Sequence, residues 1–204
     1  MRFYIFELIG IAIFAITGVL AVTRRGLDVL GAIMLGLVTA LGGGTLRDLI
    51  IRGPVFWLED FNYVWAGIAG ALAAFWIGWF FRSTYRGLLY LDAAGAAIFT
   101  VIAANKVLAY GLSPPTAVVL GVLTGIGGGL IRDVLAGRPT LLMSRDIYAT
   151  PILCGCTVFV LCRTSMPEFE YASSLGVAVI FALRAIAIHE HLQMPVWLTA
   201  REDR

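Results

Sequence analysis

Charged residues are scarce in this sequence. Only 14% of its 204 residues are Asp, Glu, Lys or Arg, whereas 60% are hydrophobic. An average soluble domain carries about 25% charged residues. The mean hydropathy is +0.90, and the shortage of charge extends along the whole chain. A water-soluble core of this size cannot enclose so many apolar runs, so the composition predicts an integral membrane protein.

The chain also lacks the signatures of several other protein classes. Its formal net charge is only +2, and no basic run with interleaved aromatic residues indicates nucleic-acid binding. Cys154, Cys156 and Cys162 lie in one apolar segment without Cys-x-x-Cys spacing, which is typical of small buried hydrophobic residues. No nucleophile–base pattern, metal-ligand spacing or phosphate-binding loop occurs. We therefore expect a protein that is not an enzyme, with no metal, no cofactor and no soluble or nucleic-acid partner.

Seven apolar segments are long enough, or nearly so, to cross a bilayer, which takes about 20 mostly apolar residues in a helix. Short turns rich in Arg, Gly and Pro separate them, and these turns leave no room for a second, soluble domain. The sixth segment is the shortest. The predicted spans are Phe3–Val22, Val29–Ile51, Tyr63–Phe81, Leu88–Leu108, Thr116–Ala136, Ile147–Leu161 and Tyr171–Ile188.

The sequence aligns with itself without a gap when it is shifted by 85 residues. The string Gly-Gly-Gly-x-x-Arg-Asp then falls on its second copy, Tyr63 falls on Tyr148, and Glu7 falls on Asp92. Each copy holds three spans, an odd number, so the second copy enters the membrane from the opposite side. The prediction is an all-α integral membrane fold in which seven transmembrane helices form an inverted 3+3 repeat plus one extra helix. The predicted units are residues 1–87, 88–164 and 165–204, the last comprising the seventh helix and a tail.

Basic residues are unevenly divided between the two sides of the predicted membrane. The side with more Lys and Arg in its short loops is normally cytoplasmic. This predicts a multi-pass protein of the cell (inner) membrane with its N-terminus outside and its C-terminus in the cytoplasm. The outer side carries Arg2, Arg52, Lys106 and Arg163, and the inner side carries Arg24, Arg25, Arg82, Arg86, Arg138, Arg145, Arg201 and Arg204.

Three consecutive glycines in each repeat are costly, because each glycine in a helix interior costs about 1 kcal/mol relative to alanine. One explanation is close packing, since small residues recur every four positions here, although Gly43 and Gly128 lie off that stripe. The other explanation is a kink or break that exposes backbone carbonyls to a watery pathway. The predicted kink and pore residues are Gly42, Gly43, Gly44, Gly127, Gly128 and Gly129.

An Arg-Asp pair follows the glycines by one turn in each repeat, at Arg47-Asp48 and Arg132-Asp133. An arginine at membrane depth needs a partner or water. Adjacent residues point about 100° apart on a helix, so we do not expect the two members of a pair to bond each other. Two roles remain open: a cap that closes each helix, or a pore-structuring role through exposed carbonyls or partners in the other repeat.

Five further polar residues are candidates for the same site. Thr39 and Thr124 either offer hydroxyls near the glycines or bond back to the preceding turn. Glu7 and Asp92 open the first and fourth predicted helices, where they either favour the positive helix end or form a cation-attracting mouth. Lys106 lies late in the fourth helix and either extends to the membrane interface or takes part in gating.

The duplicated Gly-Gly-Gly-x-x-Arg-Asp string, the seven predicted helices and the chain length resemble the prokaryotic members of the trimeric intracellular cation (TRIC) channel family, also labelled a "glycine transporter" family. The resemblance covers nearly the whole chain. It implies a homotrimer in membrane lipid, with a potassium-conducting pore inside each subunit. That pore is lined by the second and fifth helices, which kink at the triple glycines. Animal members carry a basic residue in the fourth helix tied to gating and lipid; Lys106 is the only lysine in that helix here but does not lie in the animal motif.

The leading functional hypothesis is a passive, weakly selective channel for monovalent cations, K⁺ before Na⁺. Backbone and threonine oxygens would line it, because no ring of buried carboxylates is evident in the sequence. The alternative is a secondary transporter of a small solute such as glycine, whose carboxylate would bind the N-terminal ends of broken helices. A membrane structural protein that transports nothing is a third possibility.

Overall fold

The computed structural model describes residues 2–23, 26, 28–80 and 85–194, and most of these residues are helical. Among the basic residues counted above, Arg24, Arg25, Arg82, Arg201 and Arg204 lie outside this described part. The helices are α1 Arg2–Leu20, α2 Val29–Ile50, α3 Phe56–Glu59, α4 Asn62–Phe80, α5 Tyr85–Ala109, α6 Pro114–Leu135, α7 Ala149–Ser165 and α8 Ala172–His189, with a 3₁₀ turn at Leu141–Met143.

Seven of these helices are long, and they correspond one to one with the predicted spans. By length and composition α2, α5, α6 and α8 qualify as membrane-spanning, and α1 and α7 contain the shorter apolar stretches Tyr4–Leu20 and Ala149–Ser165. The shortest of the seven is α7, with 17 residues, as predicted. The four-residue helix α3 was not predicted. The all-α membrane fold is confirmed.

The outer surface of this fold is apolar, unlike that of a soluble protein, and several charged side chains are buried. Large apolar side chains cover the outside, including Leu49 at 61% exposure and Leu123 at 57%. Charged side chains lie inside, and Arg132 and Asp92 are fully buried. Hydrocarbon tails solvate an apolar exterior, and an ionisable group at membrane depth turns toward the interior of the bundle. This distribution follows directly from a bilayer as the solvent.

The two repeats are related by an approximate two-fold axis, which reciprocal contacts reveal. A Cβ placed at Gly10 of α1 would lie 3.2 Å from the Phe99 ring of α5, and one at Gly95 of α5 would lie 2.6 Å from the Phe14 ring of α1. The Phe14 and Phe99 rings stack with centroids 5.1 Å apart. Residues nearer the C-terminus of α1 contact residues nearer the N-terminus of α5, so α1 and α5 are antiparallel. This confirms the inverted repeat.

Helices α2 and α6 begin and end in the same way. Asp28 caps α2 by accepting from the Gly31 N–H at 2.9 Å, and Ser113, 85 residues later, caps α6, which then opens with two prolines. Two residues beyond the end of each helix lies a residue with positive φ, Arg52 (54°) after α2 and Gly137 (53°) after α6. Glycine adopts this conformation freely, whereas Arg52 bears the steric cost.

Candidate functional site

Helices α2 and α6 cross at the centre of the molecule through Gly43 and Gly128. A Cβ at Gly43 would overlap the carbonyl oxygen of Thr124, and a Cβ at Gly128 would overlap the carbonyl oxygen of Thr39. This pair of contacts is reciprocal and antiparallel, like the pair between α1 and α5. The two backbones therefore touch on the pseudo-two-fold axis, at a distance that only glycine permits.

This contact corrects two expectations about the glycines. Gly43 and Gly128 were set apart from helix packing because they lie off the small-residue stripe, yet they are the packing contact between α2 and α6. The stripe residues Gly36 and Gly121 instead contact other helices, at Ala71 and Ala104. A break was also expected, but α2 and α6 are both continuous helices through their glycines. Close packing offsets the propensity cost without broken hydrogen bonds; a bend in the helix axis remains a prediction.

The other four glycines of the two strings differ in what surrounds them. A Cβ at Gly44 would lie 2.6 Å from the Phe56 ring, and one at Gly129 would lie 2.9 Å from Oδ1 of Asp92. At Gly42 the nearest atom is the flexible end of Ile131, at 2.8 Å, and at Gly127 it is the Gly43 Cα, at an ordinary 3.4 Å. Gly127 is therefore the least constrained of these four glycines.

The threonine hydroxyls bond back to the preceding turn, which is one of the two roles expected for them. Thr39 Oγ1 donates to the Leu35 carbonyl at 2.7 Å, and Thr124 Oγ1 donates to the Leu120 carbonyl at 2.6 Å. Their backbone carbonyls, rather than their hydroxyls, face the glycines across the crossing. Thr39 and Thr124 thus contribute to this site through the main chain.

Each Arg-Asp pair bonds internally, which is contrary to expectation. Arg47 Nε lies 2.8 Å from Asp48 Oδ1, and Arg132 Nε lies 2.9 Å from Asp133 Oδ1. The 100° offset separates the Cβ atoms, but the long arginine side chain curls back over its neighbour. Burial removes competing water and favours this closed pair.

The aspartates also anchor the segments that follow α2 and α6. Asp48 Oδ2 accepts the Phe56 N–H at 3.0 Å, where α3 begins, and Asp133 Oδ2 accepts the Leu141 N–H at 3.2 Å, where the 3₁₀ turn begins. These are equivalent positions of the two repeats. Capping is thus present in both repeats, but each aspartate caps the next element rather than its own helix.

Arg132 is the centre of a buried network in the second repeat. Its Nη1 donates to Asp92 Oδ1 at 2.7 Å and to Thr17 Oγ1 of the first repeat at 3.0 Å. Asp92 was expected to open its helix, but α5 begins at Tyr85, so Asp92 lies two turns inside and fully buried. Asp92 Oδ2 and Arg132 Nη2 are buried without a hydrogen-bond partner among the described residues.

Lys106 and Glu7 complete the candidate set. Lys106 Nζ lies 2.9 Å from Asp48 Oδ1, so a residue of the second repeat neutralises one of the first. Lys106 is only 24% exposed and does not extend freely to the interface. Glu7, in the second turn of α1, accepts from the Tyr63 hydroxyl. Glu7 and Asp92 thus both lie inside their helices rather than at the first residue of α1 or α5.

The two charged clusters lie on opposite sides of the glycine crossing, because α2 and α6 are antiparallel. Arg47, Asp48 and Lys106 carry a formal net charge of +1, whereas Arg132, Asp133 and Asp92 carry −1. Within the described residues no group of three His, Cys, Asp or Glu side chains is placed to hold a metal ion. The fold therefore places one charged cluster on each side of a small central contact between α2 and α6.

Sequence reasoning missed Thr17 and Arg184. Thr17 is fully buried as a partner of Arg132, and Arg184 of α8 is 2% exposed. A charged residue inside an apolar span was the signal available for Arg184. Nothing in the sequence of α1 distinguishes Thr17 from a threonine that only bonds its own helix.

These features define a class: a seven-helix membrane protein with inverted repeats and a glycine crossing between buried charged clusters. The profile of the family described as "Glycine transporter" matches residues 4–79 and 89–164, two stretches whose starts and ends lie 85 residues apart. The chain belongs to this family, which includes the prokaryotic TRIC channels.

Relatives of known name and structure agree with this assignment. The UPF0126 inner membrane protein YadS of Escherichia coli is 38% identical over 207 residues, covering 100% of both chains. A Vibrio cholerae membrane protein is 37% identical over 95% of this chain and 82% of its own.

Among solved structures, a TRIC channel orthologue from Rhodobacter sphaeroides superposes with a TM-score of 0.89 at 38% identity, covering 94% of this chain and 99% of its own. A second TRIC cation channel, solved to explain conductance, gives a TM-score of 0.84 at 33% identity over 100% of both chains. The solved relatives are ion channels, which confirms the expectation that the protein is not an enzyme.

Proposed function

We propose that this protein is a passive channel for monovalent cations, K⁺ before Na⁺, with a pathway inside each subunit beside the α2–α6 crossing. The observation that carries the proposal is the crossing itself. Two equivalent helices touch through Gly43 and Gly128 at the pseudo-two-fold axis, with a buried charged cluster on either side. The similarity to TRIC cation channels along nearly the whole chain supports the same function.

Backbone oxygens provide the chemistry that such a pathway needs. The Thr39 and Thr124 carbonyls pack against the glycines of the opposite helix, and a bend at the glycines would turn neighbouring carbonyl dipoles towards the pathway, where they replace part of the hydration shell of a cation. The unpartnered Asp92 Oδ2 and Arg132 Nη2 are polar groups that water can satisfy. The kink at Gly42–Gly44 and Gly127–Gly129 belongs to this proposal, as the feature that widens the pathway on either side of the contact.

The alternative is a carrier for a small solute such as glycine, in keeping with the family's description. That mechanism needs half-helix N-termini that point at the carboxylate. Helices α2 and α6 are continuous through their glycines, so they present no such ends there. The channel is therefore the better-supported function.

The assembly and placement proposed here follow the relatives. The solved neighbours are described as trimeric channels, and we propose a homotrimer embedded in lipid. The named relative is an inner membrane protein, and we propose the same membrane, with the N-terminus outside and the C-terminus in the cytoplasm as the basic residues of the loops indicate. A C-terminal green fluorescent protein fusion should then fluoresce, since this reporter stays dark when it is exported unfolded across a bacterial inner membrane.

Recording from purified protein in a planar bilayer tests the function. A channel gives unitary current steps in KCl without any organic solute, and its reversal potential under a K⁺/Na⁺ gradient shows a modest preference for K⁺. Saturable glycine uptake into vesicles without unitary steps would contradict the proposal and favour the carrier. Recordings from protein-free bilayers prepared with the same detergent provide the control.

A further inference from the structure

A cavity of about 110 Å³ lies where the start of α5, the end of α8 and the segment between α6 and α7 meet. One water molecule needs only roughly 15 Å³ by this measure. The cavity is remote from the Asp48–Lys106 pair, because Arg86 and Lys106 stand near opposite ends of α5. Its polar lining consists of Tyr85, Arg86, Ser144, Asp146, Tyr148, Arg184 and His191.

Arg184 gives the cavity an incompletely satisfied cation. Its Nη1 donates to the Ile147 carbonyl at 2.9 Å, and its guanidinium lies 4.6 Å from the centre of the Tyr148 ring. Its Nε is buried without a hydrogen-bond partner in the described part of the chain. A guanidinium has five N–H donors, and leaving them unpaired in a buried place is unfavourable. Among the described residues, Arg184 thus has fewer hydrogen-bond acceptors than its guanidinium can use.

A second arginine stands at the rim of the same cavity. Arg86, the second residue of α5, lies with its Nη2 2.6 Å from Nε2 of His191 beyond the end of α8. Asp146 is the one carboxylate among the described lining residues. Two arginines and one aspartate leave a net charge of +1 when His191 is neutral. The lining therefore matches a singly charged anion, whereas a doubly charged one would leave the cavity negative.

We propose that this cavity binds the phosphodiester group of an anionic membrane lipid. Arginine forks recognise phosphate oxygens with paired hydrogen bonds, and a diester carries the single charge that the lining balances. The cavity lies at helix ends, the depth at which head groups sit, and basic pockets between transmembrane helices are suited to lipid head groups. A bound head group connects α5, α8 and the 141–148 segment, so it should stabilise the fold. This site does not depend on channel activity.

A lipid titration of the purified protein in detergent tests the source of the phosphate. Short-chain phosphatidylglycerol should raise the unfolding temperature and bind about fivefold more tightly than phosphatidylcholine of the same chain length. Inorganic phosphate should bind more weakly than either. Equal binding of the two lipids, or inorganic phosphate binding as tightly as phosphatidylglycerol, would overturn the assignment.

Variants at the rim locate the site without disturbing buried Arg184. Arg86→Gln should weaken phosphatidylglycerol binding about fivefold, and Asp146→Asn should strengthen it about threefold, because the first removes and the second adds one unit of net positive charge. Arg145→Gln is the matched control: it removes the same charge from an exposed neighbour that does not line the cavity, and should change binding less than twofold. Equal effects of Arg86→Gln and Arg145→Gln, or weaker binding by Asp146→Asn, would refute the proposal.

Discussion

Glu7 and Asp92 occupy equivalent positions in the two repeats but have different surroundings. Asp92 is fully buried and bonds Arg132 at 2.7 Å. Glu7 is half-buried and accepts from the Tyr63 hydroxyl, a neutral donor. A carboxylate that balances a buried guanidinium is hard to remove, because its loss leaves an uncompensated charge. The second repeat therefore depends on its acidic residue far more than the first repeat does.

Matched substitutions at these two positions should separate the two environments. Asp92→Asn should destabilise the protein by about 3–5 kcal/mol, because Arg132 keeps only the charge of Asp133. Glu7→Gln should cost less than about 1 kcal/mol, since the amide oxygen still accepts from Tyr63. Thermal unfolding of the purified variants in detergent measures both effects. Equal losses would show that the Asp92–Arg132 pair contributes no more than an ordinary hydrogen bond.

At the residue scale, the sequence did not predict the pairing of Arg47 with Asp48, because spacing rules take no account of the length of the arginine side chain. Spacing rules describe where Cβ atoms point, and on that basis Arg47 and Asp48 were not expected to pair. Arg47 Nη2 nevertheless reaches Asp48 Oδ1 at 2.7 Å. The partner that only the fold could provide was Lys106, which approaches Asp48 from the other repeat.

Among the helices, α2 and α6 are the elements on which the repeat symmetry converges. They have the same length of 22 residues, equivalent N-caps and equivalent C-terminal turns. Their contact is made by main-chain atoms on both sides, carbonyl oxygens against glycine Cα atoms. Backbone atoms cannot rotate away as a side chain does, so the contact tolerates almost no added volume.

Neighbouring glycines of α6 provide the test of that contact. Gly128→Ala should lower stability by about 2 kcal/mol or more, because its methyl group would overlap the Thr39 carbonyl and force α2 and α6 apart. Gly127→Ala meets only an ordinary contact at 3.4 Å and gains about 1 kcal/mol of helix propensity, so it should be neutral or stabilising. Unfolding temperatures measure the difference, and Gly43→Ala should behave like Gly128→Ala. A Gly128→Ala protein as stable as Gly127→Ala would contradict the crossing.

The presence of each long helix was predictable from the length of its apolar run, whereas the faces through which the helices pack against each other were not. The second span was predicted as Val29–Ile51 and is observed as Val29–Ile50. The fourth was predicted from Leu88 but begins at Tyr85, because aromatic and polar residues extend the helix beyond its apolar core. This small shift moved Asp92 from the first turn into the interior. Which glycines touch another helix depends on distant parts of the chain, so a stripe on one helix could not identify Gly43 and Gly128.

At the scale of the whole molecule, the repeats are held together by exchanged polar contacts as well as by apolar packing. Arg132 of the second repeat bonds Thr17 of the first, and Lys106 of the second repeat bonds Asp48 of the first. The two charged clusters differ in sign, at +1 and −1, so the interior is electrostatically asymmetric along the line through the crossing. A cation on this line meets its less favourable region beside Lys106.

Removing the charge of Lys106 tests that electrostatic asymmetry. Lys106→Gln leaves the cluster of Arg47 and Asp48 neutral, so K⁺ meets a lower barrier there and unitary conductance should rise about twofold. Lys106→Arg keeps the charge and should conduct like the parent protein. Arg163→Gln removes a charge from an exposed site predicted to be on the same membrane side, where salt screens it over about 8 Å, and should leave conductance unchanged. Because the sign of the change depends on where cations pass, a fall or no change in conductance for Lys106→Gln in planar-bilayer recordings would place the pathway away from Asp48.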